Sequence, residues 1–193
     1  MDRKLKVVGI GGSLAKNSTS LAALRIALDG AAAAGAETKL FDVRTLDLPF
    51  YSPDIEVPDA ARTFAEEVHS ADALIWASPL YHGTVSGSFK NALDWLQLLS
   101  NREPAFLTDK VTGLVSTAGG VHGVQAINTM EFVVRALRAV AVSRVVAVPQ
   151  AWKAFDDKGK PVDAAIDKQL RGLGAEVVRV TQKIKSRYHA TVA

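Results

Sequence analysis

Short apolar runs recur along the chain, and between them lie longer stretches whose apolar residues return every three or four positions. The short runs have the length and composition of strands, whereas a three-to-four spacing lines up one buried stripe on a helix. Five runs read as strands: KLKVVGI (4–10), ETKLFDV (37–43), ADALIWAS (71–78), KVTGLVST (110–117) and VSRVVAVP (142–149). Several are almost wholly apolar, which predicts strands covered on both faces. Helical stripes run through Phe89, Ala92, Leu93, Leu96 and Leu99, and through Ile127, Met130, Val134 and Leu137. A third runs through Ile166, Leu170, Leu173, Val177, Val180 and Ile184, and it continues across Gly172 and Gly174. Each of those glycines costs an isolated helix about 1 kcal/mol. The segment FDDKGKP (155–161) reads as a surface turn before the last helix.

Strands alternating with helices predict βαβ units around a parallel sheet. Five strands suit the order 2-1-3-4-5, a flavodoxin-like three-layer α/β/α sandwich, whereas the full Rossmann winding needs six. With no repeat, low-complexity tract or linker in view, the expectation is a single domain over residues 1–193. Ligands of such sheets lie beyond the carboxyl ends of the strands, so the loops after the first, third and fourth strands are where function is sought.

Composition then removes whole classes of chemistry. The chain has 193 residues, 48% hydrophobic, enough for a full core. Its 23 Lys and Arg against 20 Asp and Glu leave a charge of +3, spread along the chain, which argues against a nucleic-acid partner. There is no cysteine, so disulfides, thiol nucleophiles and Cys-ligated metals are excluded and redox chemistry needs a cofactor. A cysteine-free chain with no run of about 20 apolar residues, and whose MDRKLKVVGIGG start lacks a signal-peptide core, predicts a cytoplasmic protein with no membrane partner.

The first loop, GIGGSLAKNSTSLAAL (9–24), joins a strand to a helix. A dinucleotide fingerprint starting at Gly9 needs glycine where the chain has Leu14, and a Walker A loop needs Gly-Lys-Ser/Thr where it has Ala15-Lys16-Asn17. What remains is Ser13, Lys16, Asn17, Ser18, Thr19 and Ser20 around the start of a helix whose stripe includes Leu21, Leu24 and Leu28. Helix-start N–H groups without internal partners, joined by hydroxyls, bind a phosphate with little formal charge. The simpler reading is that Ser18 or Thr19 only caps the helix, a role worth about 1 kcal/mol.

After the third strand comes SPLYHGTVSGSFKNALDWL (78–96), and here the sequence resembles the NADPH-dependent FMN reductase family of flavodoxin-like flavoproteins. The family pattern P-x-Y-x-G-[ST]-x-x-G-x-[LF]-K-N-A-[LI]-D-W is matched at Pro79, Tyr81, Gly83, Thr84, Gly87, Phe89, Lys90, Asn91, Ala92, Leu93, Asp94 and Trp95. Its first-loop pattern G-S-x-R-x-x-S is matched at Gly12, Ser13 and Ser18, with Ala15 where many members carry arginine. Independently of the name, a rigid Pro-x-Tyr-x-Gly turn at a strand end offers an isoalloxazine a flat wall and backbone donors.

The resemblance implies FMN as cofactor, NADPH or NADH as hydride donor to flavin N5, and a small-molecule acceptor such as free flavin, a quinone, an azo dye or a metal oxyanion. It implies cofactor contacts at Pro79, Leu80, Tyr81, His82 and Gly83, and at Thr117, Ala118, Gly119 and Gly120 in the glycine-rich STAGGVHG loop (116–123). No side chain is assigned a catalytic role, and His82 is expected to act through its backbone. It also implies a homodimer or homotetramer, to which Trp95, Leu96 and Leu99 are candidate contributors unless they are core. Loop position makes Tyr51 and His122 candidates for the substrate mouth, whereas His69 and His189 read as solvent-facing. Two competing readings are a flavodoxin-type electron carrier and a nucleotide-binding domain using Asp42 on a ribose; the first lacks the usual acidic face and the second lacks the glycine fingerprint.

Overall fold

The computed structural model describes residues 3–191, with side chains described through residue 186, so His189 lies outside the described side chains. The chain runs β1 (Lys6–Gly11), α1 (Thr19–Ala33), β2 (Glu37–Asp42), α2 (Val43–Leu46), α3 (Asp59–His69), β3 (Ala73–Pro79) and α4 (Gly87–Asp94). It continues through β4 (Val111–Thr117), α5 (Val124–Ala136), β5 (Val140–Val148), α6 (Ala151–Ala154) and α7 (Ala164–Thr191). The five strands form one parallel sheet in the order β2-β1-β3-β4-β5.

Alternation along each central strand sends neighbouring side chains to opposite faces. Val7, Ile75 and Val115 pack with Leu24, Ala27, Leu173 and Val177 of α1 and α7. Val8, Ile10, Leu74, Trp76 and Leu114 pack with Phe64, Phe89 and Met130 of α3, α4 and α5. All residues of β3 and β4 are buried, as near-continuous apolar strands in the middle of a doubly covered sheet must be. β5 lies at the edge and alternates in burial.

Three local expectations change. The stripe from Phe89 to Leu99 is not one helix: α4 stops at Asp94 and a 3-10 segment carries Trp95–Leu99. Trp95, Leu96 and Leu99 are core residues, each at most 1% exposed, so they are not interface contacts. His69 is half-buried, with Nε2 3.1 Å from the Pro104 carbonyl oxygen.

The glycines of α7 differ from each other. A Cβ on Gly174 would lie 1.9 Å from the Ala27 carbonyl oxygen, and one on Gly30 would lie 2.2 Å from the Arg171 carbonyl oxygen. Gly30 and Gly174 therefore let α1 and α7 cross backbone to backbone, whereas a Cβ on Gly172 meets only the Arg144 guanidinium at 3.6 Å.

Candidate functional site

The parallel register ends the strands together: Gly11 stands beside Asp42 and Ala77, and Thr117 beside Pro79 and Val148. The first loop leaves β1 with the Gly12 amide donating to Ala77 O at 3.1 Å. Ser18 is the N-cap of α1, its Oγ accepting from the Leu21 amide at 3.2 Å. It is more than a cap, because Ser13 Oγ donates to Ser18 Oγ at 3.2 Å and Ser18 Oγ lies 3.1 Å from Ser20 Oγ. Ser13 Oγ in turn accepts from the Ala15 amide at 3.3 Å. Ser13 and Ser20 are buried, Ser18 and Thr19 half-buried, and Lys16 is exposed. Among the described residues, the amides of Lys16, Asn17, Thr19 and Ser20 have no protein acceptor; Thr19 and Ser20 open the first turn of α1, where no intrahelical acceptor exists, and Lys16 and Asn17 lie in the loop before its cap.

The second loop is a hairpin turn. Tyr81 and Thr84 exchange backbone hydrogen bonds at 2.9 and 3.1 Å around His82 and Gly83, whose φ values are +49° and +86°. Two positive φ angles define a type I′ turn, which favours glycine and strains any residue with a Cβ. The turn projects outward: Tyr81 is 47% exposed, and His82 and Gly83 are exposed as well, while Pro79 is buried and Leu80 half-buried. The Leu80 amide is taken by Thr117 O at 2.8 Å, and the Tyr81 amide by the turn itself. Among the described residues, the amides of His82 and Gly83 are therefore the ones left to meet a ligand.

Thr117 joins the three loops. Its carbonyl holds the Leu80 amide, and its Oγ1 accepts from Thr19 Oγ1 at 3.3 Å. The third loop continues with Ala118, buried and bonded in both directions to Val148 and Ala151, and then with exposed Gly119 and Gly120. The Gly120 carbonyl accepts from the Gln150 amide at 3.1 Å, and a Cβ on Gly119 or Gly120 would meet nothing within 4 Å. His122 is exposed beside this loop.

Several contacts were invisible in the sequence. Asn91 Oδ1 accepts from the Tyr51 amide at 2.9 Å, and its Nδ2 donates to Pro49 O at 2.9 Å. Trp95 Nε1 donates to the same carbonyl at 2.9 Å, and the Tyr51 ring meets Trp95 edge to face at 5.3 Å. The Asn and Trp of the K-N-A-L-D-W run thus fasten the 48–51 segment onto α4, holding Phe50 at 85% exposure. Arg44, on α2, reaches Lys16 O with Nη1 at 3.4 Å and braces the first loop from outside. Asp42 is committed as the cap of α2, accepting from the Arg44 amide at 3.0 Å, which removes it from a ribose-binding role.

These residues fit a flavin mononucleotide. Neutral hydroxyls and unpartnered helix-start amides suit a phosphate, and an outward turn facing a glycine-rich loop with open space suits a flat ring.

The model for the family described as NADPH-dependent FMN reductase matches residues 5–153. The chain belongs to that family. It is 31% identical to an NAD(P)H-dependent FMN reductase of Pseudomonas aeruginosa over 93% of this chain and 99% of that protein. It is 29% identical to a probable NADPH:quinone oxidoreductase of Oryza sativa subsp. japonica over 97% of this chain and 96% of that protein. The solved structure of a flavoenzyme NAD(P)H:(acceptor) oxidoreductase from Paracoccus denitrificans superposes with a TM-score of 0.76 at 23% identity, covering 93% and 98% of the two chains, and bears on the fold.

Proposed function

We propose that this family member is an NAD(P)H-dependent FMN oxidoreductase whose first loop holds the FMN phosphate and whose second and third loops frame the ring. The observation that carries the reading is the hydroxyl cluster of Ser13, Ser18 and Ser20, tied through Thr19 and Thr117 to the Tyr81–Thr84 turn. Ser13, Ser18, Thr19 and Ser20 bind phosphate oxygens with hydroxyls and helix-start amides, and the positive end of α1 favours the negative charge. Lys16 supplies the loop's own cation where the family arginine is replaced by Ala15. Pro79 and Leu80 set the depth of the ring, the amides of His82 and Gly83 donate to its polar edge, and Tyr81 flanks it. Thr117, Ala118, Gly119 and Gly120 approach with little side-chain bulk, leaving a face open for a nicotinamide.

The chemistry that FMN supplies when bound is two-electron transfer, with hydride from NADPH or NADH received at N5 and then delivered to a small-molecule acceptor of the quinone or azo type. Around it, the chain orients and admits partners, and no side-chain proton transfer is required. Among the described residues, no helix is long and apolar enough to cross a membrane, and no group of His, Asp and Glu is arranged to hold a metal. We extend the proposal to one flavin-binding unit over residues 1–193, a cytoplasmic setting and a homodimer or homotetramer. Exposed Phe50 and Phe132 support self-association, which light scattering reads directly.

An absorbance spectrum of protein with FMN, before and after anaerobic NADPH, tests the function. Flavin bands that shift on binding and bleach within the mixing time are the expected result. Bound flavin that stays yellow would instead make the chain an electron carrier, and FMN that remains free would remove the assignment.

A further inference from the structure

Helix α5 leans on the Tyr81–Thr84 turn with one face. Residues 125 and 129 are four apart, so their side chains leave the helix on the same side, one turn after the other. Thr129 Oγ1 accepts from Thr84 Oγ1 at 3.2 Å and donates to the Gln125 carbonyl oxygen at 3.2 Å. Among the described residues, the bond from Thr84 to Thr129 is the only side-chain hydrogen bond that ties residues 81–84 to another element. One turn earlier on that face, Gln125 Oε1 lies 3.8 Å from the point that a Cβ on Gly83 would take. Gln125 is exposed, and among the described residues its carboxamide has no hydrogen-bond partner.

Around the turn, open donors are plentiful and many acceptors are taken. The amides of His82 and Gly83 are open donors, whereas the carbonyls of Tyr81, Thr84, Thr117, Ala118, Gly120 and His122 each already accept from a backbone amide. The polar edge of an isoalloxazine is not made of acceptors alone, because between its two carbonyl oxygens it carries the N3–H donor. A donor covered by protein without an acceptor costs affinity. The Gln125 carboxamide oxygen is a neutral acceptor standing beside Gly83. An amide donor and an acceptor on neighbouring groups match the adjacent C4=O and N3–H of the ring's imide.

We propose, resting on the FMN reading above, that Gln125 is a flavin-binding residue whose Oε1 accepts the ring's N3–H while the turn amides donate to the neighbouring carbonyl oxygen. The Thr84 to Thr129 bond keeps the turn and Gln125 in register, so that both meet the same edge of the ring. Gln125 lies outside the motif that runs from Pro79 to Trp95, so this acceptor belongs to α5 and not to the pattern that marks the second loop.

The test is nuclear magnetic resonance of the full chain loaded with FMN labelled at its ring nitrogens, wild type against Gln125→Met, which keeps the side-chain length and removes the acceptor. In the wild type the N3–H proton should give a resolved signal protected from exchange with water. In the variant that signal should move upfield and exchange faster. FMN affinity, read by flavin fluorescence, should fall about fivefold, as loss of one hydrogen bond requires. Because Gln125 is exposed, denaturant unfolding of the flavin-free protein should be the same for both. An N3–H signal that is absent in the wild type or unchanged in the variant, or an FMN affinity that does not fall, overturns the role of Gln125 while FMN stays bound. Failure of the wild type to bind FMN overturns the reading beneath it.

Discussion

The two ends of the sheet are built from different chemistry. At the amino end, Asp72 is buried just before β3 and receives the Lys6 amide at 2.7 Å, the Arg3 guanidinium at 2.7 and 3.0 Å, and the Lys185 ammonium. Lys6 also reaches Glu67 at 2.6 Å, and Lys110 donates to the carbonyls of His69 and Ala71 at 2.7 Å each. At the carboxyl end stand neutral hydroxyls, free amides, positive φ angles and exposed glycines. The first end spends its polar groups on the protein; the second leaves several of its own without a protein partner among the described residues. A fold of this kind needs both, because donors left open for a cofactor contribute little to stability until it binds.

Electrostatics follow the same division. Burial alone would raise the Asp72 pKa, but the Lys185 ammonium, the Lys6 amide and the charge of Arg3 outweigh it and hold the carboxyl below its ordinary value. Burial lowers the Lys110 pKa, with Lys185 adding to the effect and Asp72 opposing it.

The largest effect should come from breaking the amino end. Asp72→Ala removes the buried acceptor shared by the Lys6 amide and the Arg3 and Lys185 cations and should cost about 3 kcal/mol in denaturant unfolding, while FMN affinity in the folded fraction is unchanged. Breaking the carboxyl end should do the opposite. Ser13→Ala combined with Ser18→Ala should weaken FMN about 100-fold and riboflavin far less, with a smaller cost to unfolding from the lost cap. Equal loss for both flavins would place the phosphate elsewhere. Gly83→Val forces a β-branched residue into positive φ and should reduce FMN affinity about tenfold, with a cost in stability of about 1–3 kcal/mol.

The smallest effect sharpens the comparison by pH. Because the folded pKa of Asp72 is depressed, its contribution is complete above the unfolded value of about 3.9 and is lost as pH falls through the lower folded value. Asp72→Asn should therefore flatten the acid limb of a stability–pH curve. An unaltered acid limb would mean that other carboxylates govern it.

Much of the fold and of the carboxyl-end loops was legible in the sequence, for reasons that differ by region, and the ion pairs of the amino end were not. Strands β3 and β4 are so apolar that only a doubly covered position suits them; alternation with helical stripes pointed to a parallel sheet, and the count of five strands to the order 2-1-3-4-5. The hydroxyl cluster of the first loop was legible because Ser13, Ser18, Thr19 and Ser20 fall within eight residues. Contacts between distant segments were not legible. Gly174 reads locally as a cost to its helix, yet a Cβ there would collide with the backbone of α1. Asn91 and Trp95 read as part of a motif, and only the fold shows them holding Pro49 and Tyr51. Thr117 was placed near the ring by loop position, while its link to Thr19 depends on the start of α1 and the end of β4, 98 residues apart, being brought together by the fold.

The most direct test of the central claim, that the first loop is a phosphate site, is a parallel titration of wild-type protein with FMN and riboflavin, read by quenching of flavin fluorescence. Charge-assisted bonds from the hydroxyls and helix-start amides predict FMN binding at least about 100-fold tighter than riboflavin. Equal affinity for the two flavins would contradict it.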